Sequence, residues 1–467
     1  MGHPDPTESC KHSPQHDSAP CGEAFRDINF KFKLRDALFY SSLLLTSPLL
    51  AIWLARDIML VILQLAAAAG LKFTFDEDPK TWQLWFNATR DACNIRDTPD
   101  ASMAAFRRND GTVVAFFGDA DRAANAADPP HGNLVGGFYR SYGTSVLNLT
   151  RDCSSPIMKS GAVSNGPGVF PHNVWLMASW TDDGTTVHGL VHDEYTPNTT
   201  DTTLCPGGFT KNSTCWYTTV LNVISTDGGR HFDFVTTVDN PRGIALAPPV
   251  GFNPDFTHPQ GFPNSHLVQG PDGYLYTLLS CGEGAHLPST AYPNGGKCVY
   301  RTKDISNVGS WRGWDGESWS ATVVDPYATP ALPTAGHFPA VVGSGMVGSG
   351  SVVYLEEHDL FVAMGTKLHP VGKGQLPIVH VFYQTSTNMT TWSSTEDAGT
   401  FALPDEFFGC ATYPRLIDPA SPSRNFDRVG GGSSAEVYLL FSTGLSPSIK
   451  GEFRRAGVAV PVRIEQD

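Results

Sequence analysis

A short pattern recurs along this chain at a spacing that few folds accommodate. It consists of an apolar strand, a small hydroxyl residue, an Asp or Asn, and then an aromatic. It reads Val223-Ile224-Ser225-Thr226-Asp227-Gly228-Gly229-Arg230-His231-Phe232. It returns as Val299-Tyr300-Arg301-Thr302-Lys303-Asp304, closing at Trp311, and as Val381-Phe382-Tyr383-Gln384-Thr385-Ser386-Thr387-Asn388, closing at Trp392. A weaker copy is Phe138-Tyr139-Arg140-Ser141-Tyr142-Gly143. The hydroxyl positions Ser141, Ser225, Thr302 and Ser386 lie about 80 residues apart, the internal repeat of a solenoid or propeller. The Asp or Asn hydrogen-bonds the turn backbone and the aromatic packs between sheets, so the motif reads as structural.

A second pattern precedes the first. Phe170-Pro171-His172-Asn173, Phe262-Pro263-Asn264 and His337-Phe338-Pro339 each enter a strand, and proline suits a strand's first residue. Each repeat then supplies a second strand: Val113–Phe117, His188–His192, Tyr274–Leu279, Leu360–Met364 and Val437–Phe441. Five second strands predict an all-β, five-bladed propeller with blades near 93–160, 165–240, 245–325, 335–400 and 408–467. The alternative is a six-bladed, sialidase-like propeller with one degenerate blade.

Residues 37–55 carry no charge, and a second uncharged run spans 58–71. Lys31, Lys33 and Arg35 precede both. This predicts a single N-terminal transmembrane helix that holds the N-terminus in the cytosol and sends the rest across. The domain plan is then a cytosolic tail (1–36), a membrane anchor (37–71), a stalk (72–92) and a propeller (93–467). The protein is read as a single-pass type II membrane protein with a lumenal or extracellular propeller. Ala66-Ala67-Ala68-Ala69 offers a cleavage site, so secretion is the alternative. Sequons at Asn87, Asn148, Asn198, Asn212 and Asn388 lie beyond the anchor, as do seven of nine cysteines. Cys205–Cys215 and Cys281–Cys298 are close enough to staple loops, Cys93–Cys153 to tie the first repeat, and Cys410 is left over. No zinc spacing and no cofactor motif appears. The net charge of −14, without a basic cluster, excludes nucleic acid as a natural partner; a neutral carbohydrate fits.

Ser225-Thr226-Asp227-Gly228-Gly229-Arg230-His231-Phe232 resembles the Asp-box of sialidases. Ser386-Thr387-Asn388-Met389-Thr390-Thr391-Trp392 resembles the blade turn of the five-bladed glycosidases of families 32, 43 and 68. Trp175 to Tyr195, with Cys215-Trp216-Tyr217, is similar to a group of bacterial propeller proteins. The resemblance covers about residues 93–460 and implies a propeller whose central funnel holds two carboxyl groups for glycoside hydrolysis. In that group an early Asp followed closely by Pro is the base or nucleophile. This implies Asp97 in Asp97-Thr98-Pro99, with Asp100 as the near alternative.

Glu194 is the acid candidate. It ends the strand Val187 to Tyr195, where period 2 sets His188, Leu190, His192 and Glu194 on one face and Asp193 on the other. His172, His192, Asn264, His266, Tyr413 and Arg415 stand at strand entries and ends as candidates for binding sugar hydroxyls. A sialidase, using a Tyr–Glu couple and arginines, is the second reading. A non-catalytic propeller that binds carbohydrate or protein is the third.

Overall fold

The computed structural model describes residues 70–94, 97–118, 138–161, 166–195, 215, 217–248, 251–252, 254, 262–281, 296–327, 341–343, 351–369, 376–430, 436–445 and 455–466. The expected anchor falls almost wholly outside them. Among the described residues no helix is long and apolar enough to cross a membrane.

The described strands form five sheets, antiparallel except where Arg428–Val429 adds in parallel to Ser351–Leu355. Blade 1 is Ala104–Arg107, Val113–Phe116, Arg140–Ser145 and Asn148–Arg151. Blade 2 is Asn173–Trp180, Val187–Tyr195, Tyr217–Ser225 and Asp233–Phe234. In blade 3, Phe262–Asn264 and Val268–Gln269 pair with Leu275–Cys281, followed by Gly296–Thr302 and Arg312–Gly313. Blade 4 is Ser351–Leu355, Leu360–His369, Ile378–Ser386 and Glu396–Ala402. Blade 5 is Phe407–Ile417, Val437–Leu445 and Arg455–Gln466. All five expected second strands are second strands.

Each blade shares one apolar cluster with each neighbour. Phe106 and Phe116 pack with Leu176 and Val191 between blades 1 and 2. Leu190 and Tyr217 pack with Leu279 and Trp311 between blades 2 and 3. Tyr276 and Val299 meet Val352 and Phe361 between blades 3 and 4. Val362 and Val381 meet Leu439 and Phe441 between blades 4 and 5. Tyr438 and Leu440 meet Ala115 and Phe117 between blades 5 and 1. The alternation of Tyr438, Leu439, Leu440 and Phe441 between two clusters is the strand period of two, with both faces buried. Five clusters linking five sheets in a closed cycle make a ring, and six blades are ruled out for the described sheets.

The expected stalk is part of this ring. Leu71–Phe75 pairs with Arg455–Gln466 as the outer strand of blade 5, and Gln83–Asn87 pairs with the same strand. Leu71, Phe73 and Phe75 are buried while Lys72 and Thr74 are exposed, so the segment has the alternation of a half-buried strand. Tyr383 of blade 4 donates its hydroxyl to Leu71 O at 2.9 Å. Gly457 lets Trp85 lie flat on the strand: a Cβ there would stand 2.2 Å from the indole. The chain therefore closes its last blade with a strand from before the first.

The repeated turn does the structural work its residues suggest. Ser225 Oγ accepts from Gly229 N at 2.9 Å, and Asp227 Oδ1 accepts from Arg230 N and His231 N at 2.8 and 3.0 Å. Asn388 Oδ1 likewise accepts from Thr390 N and Thr391 N. Burial opposes the Asp227 charge, yet the donors Ser225, His231 and the turn amides hold its carboxyl at about 2.

Candidate active site at the strand entries

Antiparallel pairing brings the start of each first strand and the end of each second strand to the same end of a blade. Asp97 to Met103, His172, Asn173, Glu194, His266 and Tyr413 all lie at that end. Much of the protein's buried polar content gathers there: Asp97, His172, Asn173, His192, Asp193, Glu194, Thr218, His266, Lys297 and Arg455, whereas Arg415, expected at a strand entry, lies two residues from the far end of Phe407–Ile417.

Most of these groups are committed to the fold. Asp97 is clamped by Arg151 through both oxygens and also accepts from Cys93 N at 2.9 Å. Both side chains of the pair are only 2% exposed. Arg151 belongs to the last strand of blade 1, and the Cys93–Cys153 disulfide encloses the same junction. The arrangement locks the entry of blade 1 to its exit, and Asp97 presents no oxygen free of protein donors.

His172 is also taken. Its Nδ1 lies 2.6 Å from Asp193 Oδ1, its Nε2 lies 2.8 Å from Gly166 O, and its backbone N–H donates to Asp193 Oδ2 at 2.6 Å. Both ring nitrogens face acceptors, which calls for the doubly protonated imidazolium. Burial opposes that charge, but the Asp193 hydrogen bond and charge raise the His172 pKa above its ordinary value. Asp193 does point away from Glu194, as the strand period requires, and ends inside this pair.

Arg415 is buried and donates to Met103 O, to Phe426 O at 2.8 Å and to Asn425 O at 3.5 Å. It clamps blade 5 to the entry of blade 1. His266 is buried, and burial followed by the Arg415 charge pushes its pKa well down, so it is a neutral imidazole. The backbone of Asn264 opens blade 3 by pairing with Leu279; its side chain lies outside the described residues.

Two carboxyls are less committed. Glu194 Oε2 lies 3.3 Å from His192 Nε2, and the Glu194 side chain is 10% exposed. His192 stacks edge-on against Trp175, and its Nδ1 has no partner among the described residues. Asp100 Oδ1 accepts from Arg455 and, at 3.1 Å, from the Tyr413 hydroxyl, while its side chain is 23% exposed. Tyr413 reaches it from a left-handed backbone conformation, φ 58°. Loss of hydration, then the Asp100 charge, pushes the Tyr413 phenol far above its ordinary range, the opposite of what a nucleophilic phenoxide needs.

Sequence reasoning missed Arg151, Arg455 and Lys297. Arg151 and Arg455 partner groups 54 and 355 positions away, Lys297 meets the adjacent strand of its own blade, and no local motif marks them. Lys297 donates to Ser280 at the end of blade 3's second strand. Disulfides join Cys93 to Cys153 and Cys281 to Cys298, and Cys410 is buried. Cys215 is disulfide-bonded; Cys205 lies outside the described residues. Among the described residues no group of three metal-ligating side chains is present.

No protein-family model matches the chain, and no curated protein does. Solved structures similar to it include Zg3597, a family 117 glycoside hydrolase of Zobellia galactanivorans (8% identity, TM-score 0.45, covering 84% of this chain and 91% of that one). Another is an exo-1,5-α-L-arabinanase from a bovine ruminal metagenomic library (9%, TM-score 0.40, 79% and 97%). A third is an N-acetylgalactosamine deacetylase from F. plautii (8%, TM-score 0.38, 84% and 95%).

Proposed function

We propose that this propeller is a glycoside hydrolase acting on neutral carbohydrate, with Glu194 as proton donor and Asp100 as the second carboxyl. The observation that carries the reading is the contrast in exposure and commitment among the acids at the strand entries. Asp97 and Asp193 are sealed in buried ion pairs, whereas Glu194 and Asp100 keep contact with solvent. Hydrolysis of a glycosidic bond needs one acid and one base or nucleophile on opposite sides of the bond. Asp100 therefore replaces Asp97 in the proposed pair, because the Asp97 carboxylate is sealed from water with both oxygens already held by protein donors. Tyr413 and Arg455 orient Asp100, and His192 orients Glu194.

A panel of aryl glycosides and natural oligosaccharides tests the proposal. Turnover of one class by the native chain is expected, with a loss of about 10²–10⁴-fold in Glu194→Gln. Sugar binding without turnover anywhere on the panel favours the binding-propeller reading, which the ion-paired acids also support. Full activity in Glu194→Gln removes Glu194 from the chemistry. The sialidase reading has less support, since Arg151, Arg415 and Arg455 are spent on protein acceptors and the Tyr413 phenol is raised.

We further propose that the propeller faces a lumenal or extracellular space. The Cys93–Cys153 and Cys281–Cys298 disulfides suit an oxidising compartment, and Asn148 carries its sequon on an exposed strand. Expression in a eukaryotic host should give a band that shifts on enzymatic removal of N-glycans; an unshifted band contradicts this.

A further inference from the structure

The outer strand of blade 1 presents a sequon on an open edge. Among the described residues Asn148–Arg151 pairs with Arg140–Ser145 alone. An unpaired edge is a template for pairing with another chain unless something blunts it. Along this strand Leu149 packs against the cluster between blades 5 and 1, while Asn148 and Thr150 are exposed. The strand period therefore sets the acceptor asparagine and the sequon hydroxyl on the solvent face together.

An aromatic ring shares that face. Thr150 stands directly opposite Tyr142, and Asn148 Nδ2 donates at 3.4 Å to the hydroxyl of Thr144, two residues on from Tyr142. Asn148 and Tyr142 are thus diagonal cross-strand neighbours, a spacing that aromatic and long side chains bridge. Gly143 permits the close approach of the strands, since a Cβ there would stand 1.8 Å from Asn148 O. Tyr142 is 43% exposed, and every other aromatic side chain among the described residues is more buried. The Arg140 guanidinium, held by Asp152 at 2.5 and 2.9 Å, lies 6.0 Å from the ring centroid, at the limit of a cation–π contact.

The other described sequons are built differently. Asn388 Oδ1 accepts from Thr390 N and Thr391 N and so belongs to a turn, and Asn87 Oδ1 caps a short helix by accepting from Thr89 N.

We propose that Asn148 carries an N-linked glycan whose first N-acetylglucosamine lies on the Tyr142 ring and covers the open edge of blade 1. The donor is a lipid-diphosphate oligosaccharide of the secretory pathway. Asn148 Nδ2 bonds to the anomeric carbon, the bond from that carbon to the diphosphate oxygen breaks, and Nδ2 gives up one proton as the lipid diphosphate leaves. The apolar face of the sugar then covers an aromatic face that otherwise meets water. The proposal rests on the lumenal or extracellular reading above.

The test uses the full chain expressed in a eukaryotic host, with glycopeptides read by mass spectrometry. Asn148 should be occupied. A bare Asn148 beside an occupied Asn87 or Asn388 leaves the lumenal reading standing and overturns this proposal; with every sequon bare, both fall. Melting temperatures of protein trimmed to a single N-acetylglucosamine per site then test the stacking. Trimming should leave the native value unchanged. Asn148→Gln should lower it by about 1–3 °C, and by the same amount in a Tyr142→Phe background, which keeps the ring. In a Tyr142→Ala background Asn148→Gln should have no further effect. An occupied Asn148 whose substitution costs nothing, or costs the same with and without the ring, overturns the proposal.

Discussion

Two pairs at the same end of the propeller, Asp97–Arg151 and Glu194–His192, use similar chemistry for different ends. In the first, a guanidinium takes both oxygens of a carboxylate and both side chains are sealed from water. In the second, one imidazole nitrogen touches one carboxyl oxygen at 3.3 Å, and the carboxyl keeps some contact with solvent. The difference shows how a ring of sheets divides its acids. Those that join one strand's entry to another's exit become part of the frame. Those at a strand end with a single weak neighbour keep contact with solvent.

Breaking the frame should have the largest effect. Asp97→Ala strands a buried guanidinium and Asp193→Ala strands a buried imidazolium; each should cost about 3–5 kcal/mol in urea unfolding. Glu194→Gln should cost less than about 1 kcal/mol. Equal losses at positions 97 and 194 would erase the distinction. Replacing Cys93 and Cys153 by serine opens a loop of 60 residues and should cost about 4 kcal/mol. It should also loosen Asp97 more than Glu194, which amide exchange around each residue would resolve. Gly229→Ala tests the turns at the opposite end. Gly229 has φ 81°, and an added Cβ would meet Phe116 Cζ at 2.7 Å, so a cost of about 1–3 kcal/mol is expected with the strand-entry end unchanged.

The smallest effects are those of pH, and their signs differ. Asp227 is held at about 2, so its contribution is present above about 3.9 and is lost as pH falls from there through about 2. The group is partly exposed, and its contribution is discounted to about 0.5–1 kcal/mol. His172 is raised, so its contribution is full below about 6.5 and is lost as pH rises through its folded value. Unfolding midpoints across pH for the native chain, Asp227→Asn and His172→Gln separate the two. A His172→Gln difference that grows with rising pH would contradict the doubly protonated imidazole.

Much of the ring was legible in the sequence because both faces of each strand are buried, leaving dense apolar runs between Gly- and Pro-rich turns. The outer strand Leu71–Phe75 escaped notice because an apolar run leads straight into it, although Leu71, Phe73 and Phe75 alternate with Lys72 and Thr74. Buried polar residues do gather at the entries of several first strands. The fate of each polar residue was not legible, since it depends on partners 21, 54 or 312 positions away: Asp193 for His172, Arg151 for Asp97, and Met103 for Arg415. Period 2 did separate Asp193 from Glu194, but it carries no information about which face meets a histidine and which meets solvent.

The measurement that bears most directly on the account is a structure of Glu194→Gln with a bound oligosaccharide from the active class. The account predicts a glycosidic oxygen within hydrogen-bond reach of the side chain at position 194, the Asp100 carboxyl on the other side of the scissile bond, and Asp97 still clamped by Arg151. A sugar seated away from both Glu194 and Asp100, or one that displaces Arg151 to reach Asp97, would contradict it.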